Sequence, residues 1–265
     1  MSDHIRLDIQ DHIATITLDR PEARNALSLE MRTGLAEFTS QVEFDPDVRC
    51  VVLRGAGGHF MAGGDVKSFK RRQGLSHSER KREVLQGLHL LHYAIYRIRR
   101  MPKPVLASVQ GGAAGAGVSL MAACDLAIAA DDAFMVLAYA NIGLSPDGSG
   151  TFFLPRLLGL RRTMEMALLP ERMDAQTARE WGLVNRVVPA AELEAETLKL
   201  AERLASGPTY AFGRAKALLN ASFDNPLEAQ LELEGNAIAD CMTTDDHEEG
   251  VNAFVEKRSP HFVGH

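Results

Sequence analysis

Cysteine is scarce in this chain: three residues in 265, at Cys50, Cys124 and Cys241. They stand far apart, two of them in apolar runs, so no disulfide framework is expected, only buried thiols of a reducing compartment. Long hydrophobic runs are missing too, since no stretch approaches the ~18 uninterrupted apolar residues of a membrane span. The residues from Met1 to Ile5 carry neither the basic nor the apolar region of a signal peptide. A soluble, cytoplasmic protein is therefore expected, with no membrane partner. Positive charge is in deficit, 29 Lys and Arg against 35 Asp and Glu, for a net charge of −6. That balance speaks against nonspecific nucleic-acid binding, although the basic set Lys67, Lys70, Arg71, Arg72, Arg80, Lys81 and Arg82 leaves open a local patch, a lid over a site or a solvated face. Metal motifs are absent: His89 and His92 share a helix face, but no carboxylate or cysteine pattern completes a site, and no metal is expected. The glycine-rich loops do not form a nucleotide motif either, because Leu120 and Phe153 stand where a third glycine belongs.

What the chain does have is one unusual stretch, Pro104 to Asp125. Val105 to Val109 reads as a buried strand, and Gly111 to Gly117 as a turn with no side chain larger than a methyl. Val118 to Cys124 then reads as a small buried helix, followed by a strand from Leu126 to Ala130. Such a turn leaves backbone N–H groups uncovered at a helix N-terminus, where an anion or a developing oxyanion is favoured. Taken alone, such a run of small residues reads more simply as close packing of the helix against its neighbour. A second stretch, His59 to Val66, repeats the pattern after the strand Cys50 to Leu53. Two exposed N–H donors from separate loops are what an oxyanion hole requires.

The rest of the chain reads as strands alternating with helices, then helices alone. Ile5 to Ile9 and Ile13 to Leu18 suggest a hairpin turning at Asp11-His12. Ser28 caps a helix to about Val42 with Leu29, Leu35, Phe38 and Val42 as its apolar face. Leu85 to Arg100 forms another, with Leu88, Leu91, Ile95 and Ile98. Short helices lie between Phe152 and Leu168 and from Gln176 to Trp181, and Val184 to Val188 is the last strand. After Ala191 come helices over Leu193–Leu204, Tyr210–Ala221, Leu227–Cys241 and Asp246–Val255. The pattern is α/β followed by α.

The pair F-x-A-G-G-D-V, ending at Val66, and G-x-A-A-G-A-G, ending at Gly117, resembles the crotonase (enoyl-CoA hydratase/isomerase) superfamily. The resemblance extends from Arg20-Pro21 and Asn25-Ala26-Leu27 through Asp174-Ala175 and Gly182-Leu183-Val184 to the tail. It implies a β/β/α spiral core over residues 1–190 that binds acyl-CoA, and a helical oligomerisation region over 191–265. It also implies a homo-oligomer, trimer or hexamer, and no cofactor, because coenzyme A enters as part of the substrate. The thioester oxygen is expected between the N–H groups of Gly64 and Ala116, with coenzyme A beside Glu22, Ala23, Arg24, Ala62, Gly63 and Gly64. Asp65 and Val66 complete that loop, and Lys257 stands where the family's tail meets the coenzyme A phosphates. Asp65 reads more simply as a turn or cap residue, and Lys257 as a cation at a helix C-terminus.

Family hydratases use two glutamates. Their positions here hold Ser119 and, by alignment through Gly143 and Pro146, Tyr139, neither of which is a water-activating base near neutral pH. The remaining carboxylate is Asp147, in Ser145-Pro146-Asp147-Gly148, a context that also suits a turn former. Phenylacetate-degradation-type isomerases of the family carry an aspartate in such a G-L-x-P-D context as their single base. Dehalogenases of the family have a nucleophilic aspartate there but add a histidine, and its position is Tyr96. The leading expectation is thus an enoyl-CoA double-bond isomerase with Asp147 as base and an enolate held by Gly64 and Ala116. Alternatives are a hydratase or acyl-CoA hydrolase in which Asp147 activates water, and a non-catalytic, RNA-binding homologue. Burial among Ile142, Leu144, Phe152 and Phe153 is expected around Asp147.

Overall fold

The computed structural model describes residues 3–265. It opens with the antiparallel hairpin β1 (Ile5–Gln10) and β2 (Ile13–Leu18), turned by Asp11 and His12, both left-handed at φ 50° and 65°. A loop and a one-turn helix at Pro21–Ala23 lead to α1 (Leu29–Phe44), where the Ser28 hydroxyl accepts from the Met31 N–H at 3.1 Å. β3 (Cys50–Gly55), α2 (Val66–Arg71) and α3 (His77–Arg100) follow. Next come β4 (Val105–Val109), β5 (Gly112–Ala114), α4 (Ala116–Ala123), β6 (Leu126–Ala130) and β7 (Phe134–Val136). The chain continues through α5 (Gly150–Leu158), α6 (Leu160–Leu168), β8 (Met173–Asp174), α7 (Ala175–Trp181) and β9 (Arg186–Val188). It ends in α8 (Leu193–Ala205), α9 (Thr209–Ala221), α10 (Leu227–Cys241) and α11 (Asp245–Glu256).

The large sheet has the order β1-β2-β3-β4-β6-β9 and is parallel from β2 onward. Its central strand β4 is buried at all five positions, as a parallel strand covered on both faces must be. A small sheet has the order β5-β7-β8, parallel between β5 and β7 and antiparallel between β7 and β8. The units β4–β5–α4 and β6–β7–α5 each run from the large sheet to the small one and then into a helix. That is the expected β/β/α repeat.

Three sequence expectations change. The Gly111 to Gly117 run is not all turn, because Gly112–Ala114 pairs with β7 as a strand. Gly112 needs the absence of a side chain there, since a Cβ would stand 2.7 Å from the Phe134 ring. Leu29 is exposed, and Met31, Leu35 and Val42 form the buried face of α1 instead. α3 begins eight residues before Leu85, at His77, where Ser76 and Glu79 form a capping box, so much of the basic segment is helical. α8 lies on the sheet through buried Leu193, Leu200 and Ala201, with a 2.8 Å hydrogen bond between the Thr197 and Ser108 hydroxyls.

Two cations tie the later helices to the core. Lys216 of α9 donates to the Ile98 carbonyl (2.7 Å) and the Lys103 carbonyl (3.1 Å) and pairs with Asp125 at 2.7 Å. Arg49, just before β3, donates to Thr209 Oγ1 (3.0 Å), the Gly207 carbonyl (2.6 Å) and the Phe262 carbonyl (3.0 Å). Asp246 accepts from the Val263 and Gly264 N–H groups at 2.6 and 2.9 Å and completes that anchorage.

Candidate active site

Two small-residue loops meet at a short parallel ladder. The Met61 N–H donates to the Gly112 carbonyl at 3.1 Å, and the Ala114 N–H donates to the Met61 carbonyl at 2.8 Å. Gly63, left-handed at φ 88°, follows at once, and a Cβ on it would stand 2.8 Å from the Ala114 carbonyl oxygen and 3.6 Å from the Ala116 nitrogen. Glycine is therefore required both by the dihedral and by the approach of the second loop. Gly117 is pressed equally close, because a Cβ there would lie 2.4 Å from the Met61 carbonyl oxygen. The result sets Gly63-Gly64 beside Gly115-Ala116. Among the described residues, neither the Gly64 N–H nor the Ala116 N–H donates to a protein group. Ala116 is also the first residue of α4, so its amide is one of the donors that a helix leaves free.

The first loop is clamped from the N-terminal side. Asn25, fully buried, donates to the Ala56 and His59 carbonyls at 2.9 and 2.7 Å and accepts from the Arg20 N–H at 2.9 Å. The Leu27 N–H meets the Gly63 carbonyl at 2.7 Å, and the Ala62 N–H meets the Arg24 carbonyl at 2.9 Å. Asp65 caps α2 through the Lys67 and Ser68 N–H groups and pairs with Arg20 at 2.9 Å. Burial opposes its ionisation. The Arg20 hydrogen bond, the capping amides and the Arg20 charge outweigh that and hold its carboxyl below the usual range.

Asp147 sits on the loop before α5, half-buried, next to left-handed Gly148 and Ser149. The Tyr139 hydroxyl donates to its Oδ1 at 2.6 Å, and the Ser119 hydroxyl donates to its carbonyl at 2.8 Å. Tyr139 lies directly under the second loop, since a Cβ at Gly115 would stand 3.7 Å from its Cζ. Burial first, and then the Asp147 charge, push the phenol's pKa well above its ordinary value, so it stays a neutral donor. The tyrosine thus holds the Asp147 carboxylate through its hydroxyl while its ring lies against Gly115 of the second loop. The apolar surround expected for Asp147 is only partial, because Ile142 and Leu144 are 49% and 47% exposed.

The other expected residues divide into two groups. Glu22, Ala23 and Arg24 border the first loop, with Glu22 exposed and 3.5 Å from Arg20 and Arg24 left-handed at φ 52°. Ala62, Gly63, Gly64 and Asp65 form the loop itself, and exposed Val66 opens α2. Lys257 stands apart, as the left-handed C-cap of α11, with no hydrogen bond or ion pair to these loops among the described residues. Tyr96 is 56% exposed. Sequence reasoning missed Arg32, which is buried on α1, and the pairing of Arg20 with Asp65. An arginine inside an apolar helical face was the available signal for the first.

With the geometry in hand, comparison with known proteins is direct. The model of the enoyl-CoA hydratase/isomerase family matches residues 8–265. The chain belongs to that family. Members of the enoyl-CoA hydratase/isomerase family act on coenzyme A thioesters. Over 265 residues, all of both chains, it is 37% identical to 1,2-epoxyphenylacetyl-CoA isomerase of Escherichia coli (strain K12). It is 41% identical, again over the full length of both, to a Rhodobacter capsulatus protein named "Probable enoyl-CoA hydratase". Among solved structures, an enoyl-CoA hydratase from Polaromonas sp. JS666 superposes with a TM-score of 0.91 at 35% identity, covering 97% of this chain and 99% of that one.

Proposed function

We propose that this member of the family is an enoyl-CoA double-bond isomerase that works with a single carboxylate base, Asp147. The observation that carries the reading is the 2.6 Å hydrogen bond from Tyr139 to Asp147 Oδ1, made by a tyrosine packed beneath Gly115. It supports one carboxylate held near the free amides of Gly64 and Ala116. The thioester oxygen accepts from those two amides, which favours the enolate over the starting carbonyl. Asp147 takes a proton from one carbon of the acyl chain, the electron pair moves toward the thioester, and the same carboxyl returns the proton at another carbon. One base suffices because no water is consumed. The buried, neutral Ser119 and Tyr139 supply no second base that could activate water.

The test is Asp147→Asn, which keeps the shape and removes the base. Ultraviolet monitoring of 3-enoyl-CoA conversion to 2-enoyl-CoA, and of 2-enoyl-CoA hydration, separates isomerase from hydratase in the same protein. The variant is expected to bind acyl-CoA and to lose at least ~10²-fold in isomerisation and in α-proton exchange with deuterated water. Exchange at the wild-type rate would place the base elsewhere.

A further inference from the structure

The two loops of the candidate site are joined by a side chain as well as by backbone. Their ladder runs from the Phe60 N–H to the Gln110 carbonyl (2.8 Å), from the Met61 N–H to the Gly112 carbonyl (3.1 Å) and from the Ala114 N–H to the Met61 carbonyl (2.8 Å). In a regular parallel pairing of Met61 with Ala113, the Gly112 N–H would donate to the His59 carbonyl. That carbonyl is turned instead to the Asn25 side-chain amide, at 2.7 Å. The His59 imidazole takes its place, and the Gly112 N–H donates to Nδ1 at 3.0 Å.

The imidazole is half-buried and lies against bare backbone. A Cβ at Gly111, left-handed at φ 53°, would stand 3.0 Å from Nδ1, and one at Gly112 would stand 3.2 Å from it. Glycine at both positions is thus what lets the ring reach the amide. An N–H group can only donate, so Nδ1 offers a lone pair and the neutral ring carries its proton on Nε2. Gln110 joins the same segments one step earlier, at the Gly55 and Gly57 carbonyls. Among the described residues, His59 therefore makes the side-chain bond between the loops that lies nearest the free amides. It stands five residues before Gly64, and its partner Gly112 stands four before Ala116.

Resting on the reading of the Gly64 and Ala116 amides as the seat of the thioester oxygen, we propose that His59 is a positioning residue for that pair. Its neutral imidazole fixes the second loop against the first and so sets the spacing of the two donors. It acts through the backbone and not on the acyl group. Its effect falls on how strongly the carbonyl is polarised, because such donors serve only where they meet the developing charge together, and a small misplacement is costly.

Isotope-edited infrared difference spectra of bound butyryl-CoA, labelled at the thioester carbonyl, read the two donors without turnover. On the wild type the carbonyl band is expected at lower frequency than in free ligand. In His59→Ala roughly half of that shift or less should remain, with kcat down ~10-fold or more and KM changed less than ~3-fold. His59→Asn should restore the shift, and kcat to within ~3-fold, because its Oδ1 is placed as Nδ1 is. His59→Gln sets its acceptor a bond beyond and should not. Nitrogen NMR of the resting enzyme should show Nδ1 as the bare ring nitrogen. A full carbonyl shift in a folded His59→Ala overturns the proposal, as does a proton on Nδ1 or a His59→Asn no better than His59→Gln. Should His59→Ala unfold, the comparison of Asn with Gln decides. An unshifted band on the wild type would remove the two amides from the chemistry, and the proposal with them. Asp147→Asn should keep the full shift, because polarisation does not need the base, so an error about Asp147 and an error about His59 show themselves separately.

Discussion

Tyr139 shows how one residue can serve a site without performing its chemistry. Its hydroxyl orients Asp147 through a bond to a charged acceptor, a class that contributes about 1.5–3 kcal/mol. Tyr139→Phe is therefore expected to lower isomerisation ~10–100-fold through kcat, with KM little changed, as steady-state kinetics will register. Because burial and the Asp147 charge raise the phenol's pKa, the tyrosine stays protonated through the alkaline range in which a free tyrosine ionises. Its stabilising effect is complete below about pH 10 and is lost as pH rises through its folded pKa. Absorbance titration of wild type against Tyr139→Phe should accordingly show no extra tyrosinate at pH 10. At this scale the sequence was legible where a residue type has a local structural task, as with Ser28, whose hydroxyl caps α1. It was not legible for Arg32, whose burial depends on α3 crossing α1 at Gly87, a contact between positions far apart in the chain.

At the scale of elements, hydrophobic alternation and punctuation located the strands and the C-terminal helices well, because a strand buried on both faces and a helix flanked by Pro or Gly leave strong local signals. Boundaries failed where local signals compete. The start of α3 lies in a charged segment, and its capping box at Ser76 and Glu79 was overlooked in favour of the first apolar stripe. Gly112 to Ala114 was read as turn because three small residues carry no strand propensity, and only pairing with Phe134 to Val136 makes them one. The position of Ala116 as first residue of α4 sharpens a test of the free amide. Proline is well tolerated at a first helical position and removes only the N–H. Ala116→Pro should thus keep its helical circular dichroism and lose ~10²–10³-fold in turnover, the usual effect of deleting one oxyanion donor. A folded variant with normal turnover would remove Ala116 from the site.

For the whole molecule, the apolar surface left uncovered on the C-terminal helices is the dominant fact. Leu227, Leu231 and Ile238 of α10 and Phe254 and Val255 of α11 are each more than half exposed, and large exposed apolar surface marks an association site. We expect a trimer-based assembly, and a monomeric mass by light scattering at micromolar concentration would refute it. Within one chain, Arg49 is the corresponding tie. Arg49→Ala leaves the Gly207 and Phe262 carbonyls without their donor and should lower unfolding stability by about 2–4 kcal/mol in denaturant titration. Its partners stand up to 213 residues further along. Synthesis is vectorial, so a chain still on the ribosome has its first sheet strands made long before the groups that close around Arg49 exist. That end of the molecule cannot be sealed until Phe262 has been joined, which makes closure of the Arg49 shell a late event in the birth of the protein, whatever order its strands take up before then.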